Sequence, residues 1–252
     1  MSEAQSGIRV GIGGWDYDPW RGTFYPVGLA RAKQLEHAAR RVTAIEINAT
    51  FYKLQKPELY ARWAAAVPDG FRFAIKGSRF CTNRKVLGEA GEAVARFCGQ
   101  GLTELGEKLG PILWQLADTK RFDPDEMRAF FALLPRRQDG VPLRHAIEVR
   151  HESFADPAFV EIAREAGVAV AFIDAEGVAQ IEAPAPGLAY ARLKRTSEDH
   201  AAGYAPAALD RWAALAQGWA AAGRETYVFM IGGYKVRAPA AAEALLARLG
   251  QV

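Results

Sequence analysis

The sequence predicts an α/β fold, a single (β/α)8 TIM-like barrel over residues 1–252, and three observations carry that reading. Eight short strand-like runs alternate with helical segments from end to end, in a chain of 252 residues, close to the ~250 that eight such units occupy. No Pro/Gly/Ser-rich linker divides them. One parity of the strands gathers polar side chains near the C-terminal ends. In an open, doubly wound sheet, which shows the same alternation, both strand faces lie under helices and read as apolar. A closed barrel instead collects one parity at its mouth.

The first strand, expected at 9–13, is RVGIG, and the chain continues GWDYDPW. These glycines do not form a dinucleotide-binding turn: the GxGxxG spacing fails, and Pro19 stands where the helix should begin. The second strand, 44–48, reads AIEIN, so Ala44, Glu46 and Asn48 share one face while Ile45 and Ile47 share the other. The third, 71–76, ends on Lys76, and the fourth, 112–116, carries Gln115. The fifth, 146–150, is AIEVR and repeats the logic of the second, with Ala146, Glu148 and Arg150 on one face. The last three, at 168–174, 189–193 and 227–231, bring Asp174, Tyr190 and Arg192 toward the same end.

Apolar periodicity places helices at 33–41, 58–66, 125–134, 158–166, 207–222 and 240–249. Pro57, Pro124, Pro157, Pro206 and Pro239 each open one of them, where a missing N–H has no helical partner to lose. The stretch 92–109 is helical in pattern but holds Gly99 and Gly101, so two pieces are expected. Residues 175–186 are short and carry Pro184 and Pro186, so the helix after the sixth strand is expected to be missing or replaced.

The composition, 50% hydrophobic and 24% charged, supports a large core and excludes disordered and fibrous classes. The opening MSEAQSG lacks a basic n-region and an apolar h-region, and no apolar run is long enough to span a bilayer. Cys81 and Cys98 belong to no CxxC motif, so free thiols in a reducing, cytoplasmic compartment are expected. None of the four histidines forms an HxxxH or HExxH pair, so no metal site is assigned, although mouth carboxylates leave room for Mg²⁺ or Mn²⁺. No residue pattern names a cofactor or an oligomeric state.

A carboxylate inside an apolar strand needs a partner or a task. Glu46, Glu148 and Asp174 are expected to face Lys76, Arg150 and Arg192 across the lumen. Such a ring reads either as a satisfied ion-pair layer fixing strand register or as a site. In the second case Glu46 and Glu148 are the acid/base candidates, Lys76, Arg150 and Arg192 hold an anion, and Asn48, Gln115, Asp174 and Tyr190 orient it. Beyond the third strand stand Arg79, Arg84 and Lys85, and beyond the seventh Lys194 and Arg195, so this face is expected to be electropositive although the net charge is only +3. Trp15, Tyr17, Trp20, Phe51 and Tyr52 follow the first two strands, where Trp15 and Tyr52 are expected against a ligand ring unless they pack beneath loops.

The chain resembles the YecE-like family, a domain-of-unknown-function family, in IGGWDYDPWRGTFYP at 12–26, IEINATFYKL at 45–54, FRFAIKGSR at 71–79, LGPILWQL at 109–116 and IEVRHESF at 147–154. The likeness continues in YARL at 190–193 and YVF at 227–229. It implies a TIM-like barrel and no settled activity, and the family's shared polar positions fall on Glu46, Asn48, Lys76, Glu148, Arg150 and Arg192. Two departures stand out. Asn83 follows Thr82 where many members have a histidine, and Ile231, Gly232 and Gly233 replace a polar end of the eighth strand. The glycines are expected to leave room for a bulkier ligand or a close backbone approach.

Three functions follow. The first is an enzyme binding a small anionic, phosphorylated or carboxylated ligand with acid–base or hydrolytic chemistry. The second is a nucleic-acid binding or processing protein, with the basic loops on phosphates and the aromatics on bases. The third is a non-catalytic ligand-binding or scaffold protein.

Overall fold

The computed structural model describes residues 7–178 and 180–251; the opening stretch read for a leader therefore lies, apart from Gly7, outside the described residues, as does Ala179. In chain order the strands are β1 (Ile8–Gly13), β2 (Ala44–Ile47), β3 (Arg72–Lys76), β4 (Leu109–Gln115), a hairpin of β5 (Arg137–Gln138) and β6 (Val141–Pro142), and β7 (His145–Glu148). They continue with β8 (Ala169–Val170), β9 (Phe172–Asp174), β10 (Leu188–Leu193) and β11 (Glu225–Met230). The nine outside the hairpin form one parallel sheet in the order β8-β7-β4-β3-β2-β1-β11-β10-β9.

Its two ends, β8 and β9, are consecutive pieces of one run. Ala169 and Val170 pair with β7, Ala171 N–H donates to the Ile147 carbonyl at 2.8 Å, and Phe172–Asp174 pair with β10. The sixth strand thus turns from one neighbour to the other at Ala171, and the barrel closes through it.

Two apolar shells result. Outside, Val10, Ile12, Ile45, Ile47, Ile75, Ile112 and Trp114 pack under the helices. Inside, the lumen holds Ala44, Ala74, Ala146, Ala169 and Ala171 on one arc and Tyr190, Tyr227 and Phe229 on the other, with Tyr190 and Phe229 rings 5.3 Å apart. Alternating small and large side chains fill the narrow interior without a channel. Toward the N-terminal strand ends, Glu225 pairs with Arg144 and lies 3.8 Å from Arg72.

The helices are α1 (Gln34–Ala39), α2 (Ala49–Tyr52), α3 (Pro57–Ala65), α4 (Arg79–Thr82), α5 (Gly91–Cys98), α6 (Pro124–Ala132), α7 (Pro157–Ala166), α8 (Pro206–Ala221) and α9 (Ala238–Arg248). Five carry proline in the first turn. Asp123 and Asp156 cap α6 and α7, accepting from Glu126 N–H and Ala158 N–H at 2.8 Å each. The interrupted stretch splits as expected: α5 ends at Cys98, Gly101 sits at φ 101°, and a 3-10 segment Leu102–Lys108 follows. Between β9 and β10 the described residues hold no helix; Ile181 and Ala183 pack on the outer core instead, and Trp219 Nε1 donates to Glu182 at 3.0 Å. Among the described residues no helix is long and apolar enough to cross a membrane.

Candidate functional site

Strand register sets the site. Gly13 pairs with Glu46, Gln115 with Glu148, and Arg192 with both Ile173 and Phe229, so these positions lie near the C-terminal strand ends around the lumen. Arg192 bridges two carboxylates there. Its Nε donates to Glu46 Oε2 at 3.0 Å and its Nη2 to Glu46 Oε1 at 2.9 Å, while Nη1 donates to Glu148 and, at 3.3 Å, to Gln115 Oε1. The Tyr190 hydroxyl donates to Glu46 Oε2 at 2.7 Å. Lys194 Nζ and Arg150 Nε donate to Glu148 Oε1 at 2.6 and 2.8 Å, and Arg150 Nη1 reaches the exposed Asp118 at 2.6 Å.

Above this layer opens a cavity of about 740 Å³. Five cations border it, Lys76, Arg150, Arg192, Lys194 and Lys235, against one acid, Asp16, which accepts from Arg31 Nε at 2.9 Å. Asn48 and Gln115 add neutral polar groups, and Trp15, Phe51, Tyr52 and Trp63 add aromatic faces. Local structure aims them. Thr50, buried at the start of α2, donates to the Lys76 carbonyl at 2.7 Å and ties α2 to the end of β3. That tie sets the Phe51 ring 4.3 Å from Lys76 Nζ. Gly13 leaves the space that Asn48 uses, since a Cβ there would lie 3.2 Å from Asn48 Nδ2.

The electrostatics follow from burial and pairing. Burial opposes charge on Arg192, but Glu148 and Glu46 outweigh it and hold the guanidinium pKa above its ordinary value. Burial likewise opposes the Glu148 carboxylate, yet Arg192, Lys194 and Arg150 hold it far below the usual carboxylate range. Burial, then Glu46, raises the Tyr190 phenol. Lys76 is the exception to pairing. Burial and then Arg192 push its amine down to about 8, only partly offset by Glu46 and Glu148.

Of the residues expected at the site, Asn48, Lys76, Gln115, Arg150, Arg192, Trp15 and Tyr52 line the cavity. Glu46 and Glu148 do not: both are 0% exposed and engaged beneath it, so the expected acid/base pair is the floor that holds the cations. Tyr190 is buried below Glu46 and reaches it rather than a ligand. Asp174 lies outside the ring. In the sixth strand Ala169, Ala171 and Ile173 face the lumen, so Asp174 takes the opposite parity and accepts from the Tyr204 hydroxyl at 2.9 Å. The three-against-three ring therefore contracts to Glu46 and Glu148 with Arg192, Lys194 and Arg150, while Lys76 stays unpaired.

Lys194 shares the parity of Tyr190 and Arg192, a signal that places it in the ring; Asp16, on a loop, and Lys235, at the start of a 3-10 turn, carry no such signal. The mouth aromatics divide: Trp20 is buried and donates from Nε1 to the Lys235 carbonyl at 3.0 Å, and Tyr17 lies 4.6 Å beneath Lys235 Nζ. Gly232 and Gly233 serve close approach, not ligand space. At Gly233, φ is 75° and a Cβ would lie 2.3 Å from the Thr196 carbonyl oxygen. Neither glycine lines the cavity, nor does Asn83, which is exposed. Among the described residues no group of three or more His, Cys, Asp or Glu gathers as metal ligands.

UPF0759 protein YecE of Escherichia coli (strain K12) is 30% identical over 149 residues, covering 58% of this chain and 50% of that protein. UPF0759 protein YunF of Bacillus subtilis (strain 168) is 25% identical over 179 residues, covering 68% of this chain and 58% of that protein. The matches thus span only 50% and 58% of the length of these curated relatives. A crystal structure of a DUF72 family protein from Thermotoga maritima MSB8 has the same fold at TM-score 0.75 and 18% identity, covering 97% of this chain and 99% of that one. The family profile described as "Protein of unknown function DUF72" matches residues 9–252, and the chain belongs to that family.

Proposed function

We propose that the barrel mouth binds a small anionic ligand, a phosphorylated or carboxylated compound. One observation carries this reading: five cations border the cavity against one lining acid, Asp16, which is engaged by Arg31, while Glu46 and Glu148 are fully engaged underneath. The floor fixes positive charge in place, which lowers the reorganisation needed when an anion arrives. Among the described residues Arg150 Nη2 has no hydrogen-bond partner and Lys194 uses one of its three N–H groups, so both have donors to spare. The buried, ion-paired Glu46 and Glu148 act as positioning groups, since neither touches the cavity.

Calorimetric titration with inorganic phosphate and pyrophosphate tests it. Binding should weaken with added salt, and Lys194→Gln should weaken it about tenfold, ~1.4 kcal/mol. Absence of heat with both anions at low salt, from a protein that melts cooperatively, would sink the proposal.

A second reading, nucleic-acid binding, has its own observation. The Arg79 guanidinium lies 5.8 Å from the Tyr52 ring and 5.5 Å from the Phe80 ring, and both rings are more than half exposed. Exposed aromatics beside arginine are platforms for unstacked bases. Gel-shift with single-stranded DNA and RNA separates the readings: retardation lost in Tyr52→Ala and Phe80→Ala supports the second, and none at low salt removes it.

A further inference from the structure

Among the cations at the mouth, Lys76 stands apart. It ends β3, is 9% exposed, and among the described residues its Nζ has neither a carboxylate within 4.0 Å nor a hydrogen-bond acceptor. The Phe51 ring lies 4.3 Å from its Nζ, and both side chains line the cavity. Lys194, by contrast, is neutralised by Glu148 at 2.6 Å. A structural lysine at this depth would be paired, because an unpaired buried charge costs several kcal/mol. A lysine left unpaired beside an arginine, and open to a cavity, is instead in the surroundings that favour a free amine.

We propose that Lys76 is an amine nucleophile that condenses with the carbonyl of a small aldehyde or ketone whose carboxylate or phosphate is held by Arg150 and Lys194. This rests on the anion-binding reading and adds to it a covalent step. The neutral amine adds to the carbonyl carbon, forming a C–N bond as the carbonyl electron pair moves to oxygen. The carbinolamine then loses its hydroxyl, protonated, as water and leaves an iminium. Overall one ammonium and one carbonyl become one iminium and one water, with no oxidant or reductant. The amine pKa, pushed down to about 8 by burial and by Arg192 and Lys194 against Glu46 and Glu148, supplies a free-amine fraction near neutral pH.

Borohydride trapping tests it. The whole protein is incubated with glyoxylate, with glycolaldehyde phosphate or with neutral glycolaldehyde, reduced, digested and mapped by mass spectrometry. Lys76 should carry at least about tenfold more adduct than exposed Lys53 or Lys56 with an anionic probe, and glycolaldehyde should lose that selectivity. The preferred anion distinguishes carboxylate from phosphate. Yield at Lys76 should rise between about pH 7 and 9, below the range of ordinary lysines, and inorganic phosphate should suppress it. Lys76→Arg should abolish the adduct in a protein that still melts cooperatively. Adducts confined to exposed lysines, in a protein that still binds phosphate, would overturn the nucleophile and leave the anion site standing. Loss of both removes the anion reading as well.

Discussion

Arg192 grips Glu46 through two N–H groups, at 2.9 and 3.0 Å, with 2% and 0% of the two side chains exposed. A bidentate pair this dry is bound to its surroundings: the same guanidinium also neutralises Glu148. Arg192→Met should cost about 3–5 kcal/mol, because it leaves carboxylates buried without their shared cation. Adding Glu46→Gln and Glu148→Gln to that variant should recover most of the loss. Denaturant unfolding of the single and triple variants reads both numbers, and an unchanged midpoint for Arg192→Met contradicts the description.

Lys76→Met should behave in the opposite way. Burial and Arg192 lower the folded amine from 10.5 to about 8, so between those values the unfolded chain binds more protons and stability rises with pH. At neutral pH the wild type carries that penalty in full, and Lys76→Met should gain about 1–3 kcal/mol. A variant less stable than wild type would mean that Lys76 is a structural ion-pair partner.

His145 supplies an acid-sensitive element away from the mouth. Its Nδ1 accepts from Trp114 Nε1 at 3.1 Å and its Nε2 donates to the Pro135 carbonyl at 2.8 Å, which fixes the neutral tautomer. Burial lowers its pKa from 6.5 to about 4, against a smaller opposing effect of the Pro135 carbonyl. The unfolded chain takes up this proton first, so stability is full above about pH 6.5 and is lost as pH falls toward 4. About 2 kcal/mol should disappear between about pH 7 and 5, and thermal melts of His145→Gln should show that much less pH dependence.

Tyr204→Phe separates Asp174 from the site. It removes the hydroxyl that donates to Asp174, a carboxylate 4% exposed, and should cost about 1–3 kcal/mol. Phosphate affinity should not change. A loss of affinity matching the loss of stability would return Asp174 to the mouth.

Strand parity made much of this legible in the sequence. Period two in AIEIN and AIEVR puts Glu46 and Glu148 on the lumenal face, and the apolar partners Ile45, Ile47 and Ile147 under helices, as found. At the sixth strand the polar Asp174 is a poor marker for that rule, because it has the opposite parity to Ala171 and Ile173 and faces Tyr204. The alanines are the better one: Ala44, Ala74, Ala146, Ala169 and Ala171 all face the lumen, with Leu113 of β4 among them. Depth was not legible. Nothing in the spacing of Glu46, Glu148, Arg192 and Lys194 says that the carboxylates lie below the cations, since that depends on where each strand stops relative to its neighbours.

The mouth, rather than another basic surface, is the proposed anion site. Crystals soaked in selenate and measured at the selenium edge test it directly. An anomalous peak within hydrogen-bond distance of Lys76 Nζ, Lys194 Nζ or Arg150 Nη2, absent in Lys194→Gln, is the predicted result. A peak confined to the groove lined by Arg128, Arg136 and Arg164 at the far end of the barrel, with none at the mouth, would contradict it.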